Sequence, residues 1–213
     1  MSIEEITYRD EHFSLRLRPL EEQDAKVIHE AVLCSLENFL AFMDWAHLTQ
    51  SVNGQLERIR KSKEDFSKGT EYNFSVFDDN TREFLASGTL SFSTVPNKNA
   101  WAIGYWTSIK HCNKGIATLI TKILTVFAFD FLKSDCVKIG CNKANKKSAR
   151  VIEKCGFKPE GEVRNYFSEP SLKMIENGYH PDRTFLQYAL IPEDLKSLSW
   201  FNEIKAKITI KTP

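Results

Sequence analysis

A chain of 213 residues with 42% hydrophobic side chains can bury the core of one ordinary domain. Its 29 Lys+Arg against 28 Asp+Glu leave a net charge of +1, which excludes a global field for nucleic acid or an anionic membrane. Five cysteines (Cys34, Cys112, Cys136, Cys141, Cys155), odd in number and without a C-x-x-C pair, exclude a disulfide scaffold and point to reduced thiols in a cytoplasmic protein.

The start, MSIEEITYRDEHF, is charged and lacks the apolar stretch of a signal peptide, and no apolar run approaches the roughly 20 residues of a membrane span. Phe13–Leu20 alternates apolar and polar positions up to Pro19, the pattern of a strand. From about Glu22, Ala25, Ile28, His29, Val32 and Leu36 share one helical face, and the run 38–46 (NFLAFMDWA) is dense in large apolar residues. Ser51 and Asn53 open a second amphipathic helix with Leu56, Ile59 and Phe66. Tyr72–Phe77 and Phe84–Val95 read as strands around the charged turn Asp78-Asp79-Asn80. After a turn at 96–99, Trp101–Ile109 is the clearest strand. Trp101, Ile103, Tyr105, Thr107 and Ile109 fall on one side, Ala102, Gly104, Trp106 and Ser108 on the other.

A helix starting near Gly115 carries Ile116, Leu119, Ile120, Ile123, Leu124, Phe127 and Phe131 on one face. Cys136–Cys141 reads as a short strand. Asn145 caps a helix over Lys146–Cys155, and Gly156 supplies its left-handed stop. Closing strands are expected from Phe157 and over Thr184–Ile191, with loop between 166 and 183 and a short helix after Pro192. The order predicts a mixed α/β layer structure around one sheet.

The stretch from Gly104 to Phe157 carries the chemistry. A strand, a polar turn and a long helix opened by Gly115 present unpaired backbone N–H groups to an anion, with small Ala117 leaving room above the first turn. The same pattern also fits an ordinary helix start. Lys114 precedes Gly115, the wrong order for a G-x-x-x-x-G-K-[ST] loop, and no G-x-G-x-x-G follows a strand, so a nicotinamide cofactor is not expected.

The run AIGYWTSIKHCNKGIATLITKILTVFAFDFL, followed by NKKSARVIEKCGFKPEGEVRNYF, resembles the GNAT superfamily of acetyl-CoA-dependent N-acetyltransferases, and its RimJ/RimL branch in particular. That branch reads G-Y-W, then Q-G-K-G-x-A-T and a helix, then N-x-x-S-x-x-V-x-E-K-x-G-F. Gly178, Tyr179, Asp182 and Tyr188 match its closing element. The resemblance spans about Phe13 to Asp194 and implies one GNAT domain over 1–213, a mixed, mostly antiparallel central sheet flanked by helices. It implies acetyl-CoA as cosubstrate, no metal, no direct nucleic-acid or membrane partner, and a monomer or homodimer. Backbone groups of Cys112, Asn113, Lys114, Gly115, Ile116, Ala117 and Thr118 would hold the pyrophosphate. The strand edge from Trp106 and Thr107 to Ile109 would pair with the pantetheine arm. Ser148 would protonate the departing thiolate, with Asn145 against the pantetheine. Cys112 and Asn113 depart from the usual Gln or Arg and Gly, and Ile109 stands where Pro is frequent. Asn is the non-glycine residue best suited to a positive φ.

Read from the residues alone, Asn145 is also a plain cap and Ser148 a first-turn residue. Glu71, Glu162, His180 and Asp182 are candidate proton acceptors. Phe39, Phe42, Met43 and Trp45 either wall an acceptor pocket or pack a helix on the sheet, and Lys143, Lys146 and Lys147 suit a 3′-phosphate or a solvated helix start. A thiolate nucleophile at Cys112 lacks a His–Asn or His–Asp partner pattern. The expected acceptor is a protein N-terminus of the ribosomal-protein type. A polyamine or aminoglycoside is the alternative, and a non-catalytic acetyl-CoA-binding module the third reading. An open groove suits a peptide, and an acidic lining around Glu71, Glu162 or Glu169 suits a polyamine.

Overall fold

The computed structural model describes residues 3–43, 45–46 and 51–213; Asp44, within the apolar run at 38–46, lies outside the described residues. Among the described residues nine strands form one sheet, in the order β7-β8-β6-β5-β4-β3-β2-β1-β9. They are β1 (Glu5–Arg9), β2 (Ser14–Pro19), β3 (Glu71–Asp78), β4 (Phe84–Val95), β5 (Lys98–Thr107), β6 (Cys136–Asn142), β7 (Lys158–Val163), β8 (Phe185–Leu190) and β9 (Ile208–Lys211). Every neighbouring pair is antiparallel except β5 with β6. The helices are α1 (Ala25–Leu40), α2 (Val52–Lys68), α3 (Ile116–Val126), α4 (Lys146–Lys154), α5 (Leu172–Glu176) and α6 (Ser199–Lys207).

Alternation in the strands divides the apolar residues into two clusters. The larger joins Ile6, Leu17, Phe74, Val76, Leu90, Trp101 and Ile103 of the sheet to Ile120, Ile123 and Leu124 of α3, Ile152 of α4 and Phe201 of α6. Gly88 makes this close approach possible, because a Cβ there would stand 2.8 Å from Ile120. The smaller cluster joins Ile28, Val32 and Phe39 of α1 and Ile59 of α2 to Leu20, Phe77 and Phe84. Arg18 fixes the start of α1 to β2 with two 2.8 Å bonds to the buried carboxylate of Asp24, while its guanidinium stacks 4.8 Å from the Phe77 ring.

Four sequence expectations are corrected. β1 and β9 were not expected; β1 lies between β2 and β9 with Ile6 and Tyr8 buried. The helix read from Gly115 to Phe131 is α-helical to Val126 and continues as a π-helical turn over Phe127–Phe131. The segment 166–183 contains α5. The strand read to Ile109 ends at Thr107, and Ile109–His111 forms a 3-10 turn.

Candidate active site

β5 is held by β4 along its whole length, to Ala86↔Thr107. Its parallel pairing with β6 stops at Ile103↔Ile139, although β6 continues against β8 to Asn142↔Phe185. The two strands therefore splay, and Gly104–Thr107 keep one ladder edge without a strand partner. An extended chain of amides can pair with such an edge. Thr107 Oγ1 is buried there without a hydrogen-bond partner. The edge is shorter than the sequence pattern implied. Ile109 donates its amide N–H to Ser35 Oγ of α1 at 3.0 Å, so that donor is already taken, and its side chain is exposed.

Beyond the edge, the turn is anchored by buried His111, whose Nε2 lies 3.1 Å from Glu83 Oε1. Asn113 adopts φ 62° and Gly115 φ 85°, both left-handed. Gly115 is the N-cap of α3 and offers no side-chain cap; its carbonyl accepts from Leu119. The amides of Ile116, Ala117 and Thr118 thus have no helical acceptor and stand at the positive end of the helix dipole. Cys112, Asn113, Lys114 and Gly115 are exposed around this mouth. Partial desolvation of its sulfur pushes the Cys112 thiol up, with Lys147 opposing.

The third side of the splay is α4. Asn145 caps it, accepting the Ser148 amide at 3.1 Å on Oδ1. Buried Asn142 shapes the turn before it by accepting the Ala144 amide at 2.8 Å. The Ser148 hydroxyl lies 3.0 Å from the Tyr105 hydroxyl of β5 and also faces the Cys141 thiol. Burial pushes the Tyr105 phenol up to about 12, with the Ser148 contact opposing. Tyr105 therefore carries its proton at any physiological pH.

The opposite face of the sheet is polar at its centre. Glu71 pairs across the ladder with Ser91, Asn73 with Thr89 and Thr89 with Gly104, so these side chains share one face. A cavity of about 220 Å³ over them is lined by Leu20, Ile28, Val32, Trp45 and Trp106, with Gln55, Arg58, Asn73, Ser87 and Thr89 as its polar part. Trp106 packs edge-on against Phe39 at 5.3 Å and tilted against Phe84 at 5.4 Å. Its ring therefore lies on the α1 side, and only its backbone reaches the splayed edge. A second, wider cavity of about 640 Å³ shares Trp45, Arg58 and Asn73 with the first and runs between α2 and Glu71.

Residues 14–158 match the family model of the acetyltransferase (GNAT) domain. This chain belongs to the GNAT acetyltransferases. It is 31% identical over 156 residues to "Probable N-acetyltransferase YjcK" of Bacillus subtilis (strain 168), covering 71% of this chain and 84% of that one. It is 27% identical over 193 residues to "Putative ribosomal N-acetyltransferase YdaF" of the same organism, covering 87% and 94%. Its fold is similar to that of Mycobacterium smegmatis RimJ in complex with CoA-disulfide, with a TM-score of 0.79, 19% identity and 96% of each chain covered.

The enzyme is thus an acetyl-CoA-dependent N-acetyltransferase, and the residues present suit that cosubstrate. The orphaned Thr107 hydroxyl, the unpaired edge at Gly104–Thr107 and the amide-lined mouth of α3 lie along one side of the splay. Bound along that side, acetyl-CoA would supply an acetyl thioester for the acceptor. Of the lysines expected near its 3′-phosphate, Lys143 is engaged by Glu162 at 2.6 Å, while Lys146 and Lys147 are exposed.

The four candidate proton acceptors separate. Glu162 is in the exposed Lys143 pair, and Asp182 is committed to the Thr184 amide at 2.8 Å, which holds its carboxyl low. The His180 ring stacks on Phe42 and accepts the Asp182 amide on Nδ1. Glu71 alone of the four lines the wide cavity, accepting from Ser91 Oγ at 2.8 Å. Sequence reasoning missed Tyr105 as a site residue and missed the polar chamber. The signal for the chamber was present in the alternation Glu71-x-Asn73 and Ser87-x-Thr89-x-Ser91, which reads as a solvent face but is roofed by α2.

Proposed function

We propose that this N-acetyltransferase acts on the N-terminal α-amine of a protein or peptide, by direct attack of the neutral amine on the thioester. The observation that carries the reading is the pair of cavities that meet at Trp45, Arg58 and Asn73. A narrow chamber beside Trp106 and Thr89 receives the terminus, and the wide one, open to solvent, lets the rest of a chain pass out. The name of YdaF, which points to a ribosomal acceptor, supports the same class.

In this reading the backbone of Trp106 and Thr107 pairs with the pantetheine amides, and Cys112, Asn113, Lys114, Gly115, Ile116, Ala117 and Thr118 surround the pyrophosphate. As the C–N bond forms and the C–S bond breaks, Ser148 donates its proton to the sulfur that leaves, and the proton shed by the attacking nitrogen returns through solvent to the Ser148 oxygen. Asn145 sets the first turn of α4, which aims Ser148 into the splay, and Tyr105 holds the hydroxyl from the other side. Holding amine and thioester together supplies much of the acceleration.

The test is mass spectrometry of peptides incubated with the full chain and acetyl-CoA. One set has a free N-terminus and the other a blocked N-terminus with an internal lysine. Acetylation confined to the free α-amine is expected. Modification of the lysine side chains, or of neither set, rejects the reading.

A further inference from the structure

The wide cavity is lined by Glu57, Arg58, Lys61, Asp65 and Glu71, together with Ser62 and Asn73. Its cations are already engaged. Lys61 is held by both oxygens of Asp65, at 2.6 and 2.7 Å. Arg58 donates to the Trp45 carbonyl at 3.1 Å and stacks 5.3 Å from that ring. Glu71 receives only the Ser91 hydroxyl, and exposed Glu57 forms no ion pair with a described residue. Lys61 senses Glu71 through space, but its ammonium is occupied by Asp65.

Two further side chains are left wanting a partner. Gln55, 8% exposed, lines the inner chamber, and Ser62, 6% exposed, lines the wide one. Neither polar end has a hydrogen bond to any described residue. Both residues line open cavity space, so each polar end is free to receive a group that a ligand brings.

The sheet supplies the length scale. From Gly104 across Thr89 to Asn73 is two strand spacings, and Glu71 lies two residues further along β3. That places the Glu71 backbone roughly 12 Å from the splay. Two residues of an extended chain, or one residue and a long side chain, span this distance.

We propose that the chamber between α2 and β3 holds a second positive charge of the acceptor, an ammonium or guanidinium carried by one of the residues that follow the acetylated terminus. Glu71 binds this cation, with Glu57 at the rim and the Ser62 hydroxyl completing its shell. The inference rests on the protein-acceptor reading above. A polyamine would bring the same chemistry from a free small molecule.

The experiment measures kcat/KM for the full chain with acetyl-CoA and peptides that differ only at the second and third residues (Lys, Ala or Glu), with spermidine in parallel. The lysine peptides are expected to exceed the alanine peptides by roughly tenfold, with the glutamate peptides slower still. Glu71→Gln should compress the lysine-to-alanine ratio to within about twofold, and Glu57→Gln at the exposed rim should reduce it partly. Equal rates across the series overturn the proposal, as does a lysine preference that neither variant reduces. Spermidine turnover that depends on Glu71, with no peptide acetylated, retains the cation site and rejects the protein acceptor. If no amine is acetylated, calorimetry with spermidine as probe decides: binding weakened by Glu71→Gln supports the site, and binding that is absent or unaffected overturns it.

Discussion

The Tyr105 hydroxyl of β5 and the Ser148 hydroxyl of α4 meet at 3.0 Å, although 43 positions separate them in the chain. The contact crosses the splay between β5 and β6, so the same gap that leaves Gly104–Thr107 with an open ladder edge also brings these hydroxyls together. Ser148→Ala is expected to lower kcat by about 10²-fold, the scale of a lost proton donor, with KM for acetyl-CoA little changed. Tyr105→Phe should lower kcat less. Because Tyr105 acts through Ser148, the double variant should be no slower than Ser148→Ala alone. Steady-state kinetics on the four proteins check this; full additivity would separate the two residues, and an unchanged kcat in Ser148→Ala would leave it a structural first-turn residue.

Alkaline unfolding should report the burial of Tyr105. Its phenol is raised from the ordinary 10.0 to about 12, chiefly by burial. The folded state therefore retains a proton that the unfolded state releases above pH 10. The stability tied to this group is full below pH 10 and drains as pH rises towards 12. Tyr8, Tyr72 and Tyr188 are raised as well and contribute in the same direction. Urea unfolding of Tyr105→Phe between pH 10 and 12 should lose stability less steeply than the parent, by up to about one proton per molecule. An equal slope in the two proteins would contradict a buried neutral phenol.

The mouth of α3 depends on two left-handed residues. At Gly115 (φ 85°) any side chain is strained, and Gly115→Ala should cost about 1 kcal/mol of stability. Gly115→Trp should abolish acetyl-CoA binding in calorimetry while the fold survives; normal affinity there would remove this loop from the site. Asn113 (φ 62°) already tolerates the conformation, so Asn113→Gly should leave the Kd within about threefold. A β-branched Asn113→Val should weaken binding and lower Tm together.

How far the sequence reached is clearest at β5. The alternation from Trp101 correctly placed Trp101, Ile103 and Tyr105 towards one core, and the cap Asn145 and the break at Gly156 were legible from local chemistry. The end of β5 was not legible, since Ile109 continues the apolar alternation and what stops the strand is Ser35, 74 positions earlier. β1 escaped because Glu4-Glu5-Ile6-Thr7-Tyr8-Arg9 has only two core positions, and its strand is made by pairing with β2 and with β9 from the other end of the chain. The chamber escaped for a related reason. Serines and an asparagine alternating along β3 and β4 look solvent-facing until α2 and Trp45 are placed above them. Local propensity and motif spacing carry into the fold; contacts between distant segments do not show in them.

Ser35 gives the last prediction. It is 1% exposed, donates to the Ala31 carbonyl at 2.7 Å within α1 and accepts the Ile109 amide at 3.0 Å. It thereby ties the helix that walls the inner chamber to the turn that leads into the amide-lined mouth of α3. Ser35→Ala leaves a backbone N–H without its acceptor and should cost about 1–3 kcal/mol, read by urea unfolding. Released from that bond, Ile109 is free to extend β5, which displaces the turn carrying His111 and Cys112. Acetyl-CoA affinity should therefore fall together with stability in Ser35→Ala. Ser35→Thr, which keeps the hydroxyl, should restore affinity even where its extra methyl group costs some stability in the packed site. A loss of stability with unchanged affinity in Ser35→Ala would show that the turn holds its course without α1.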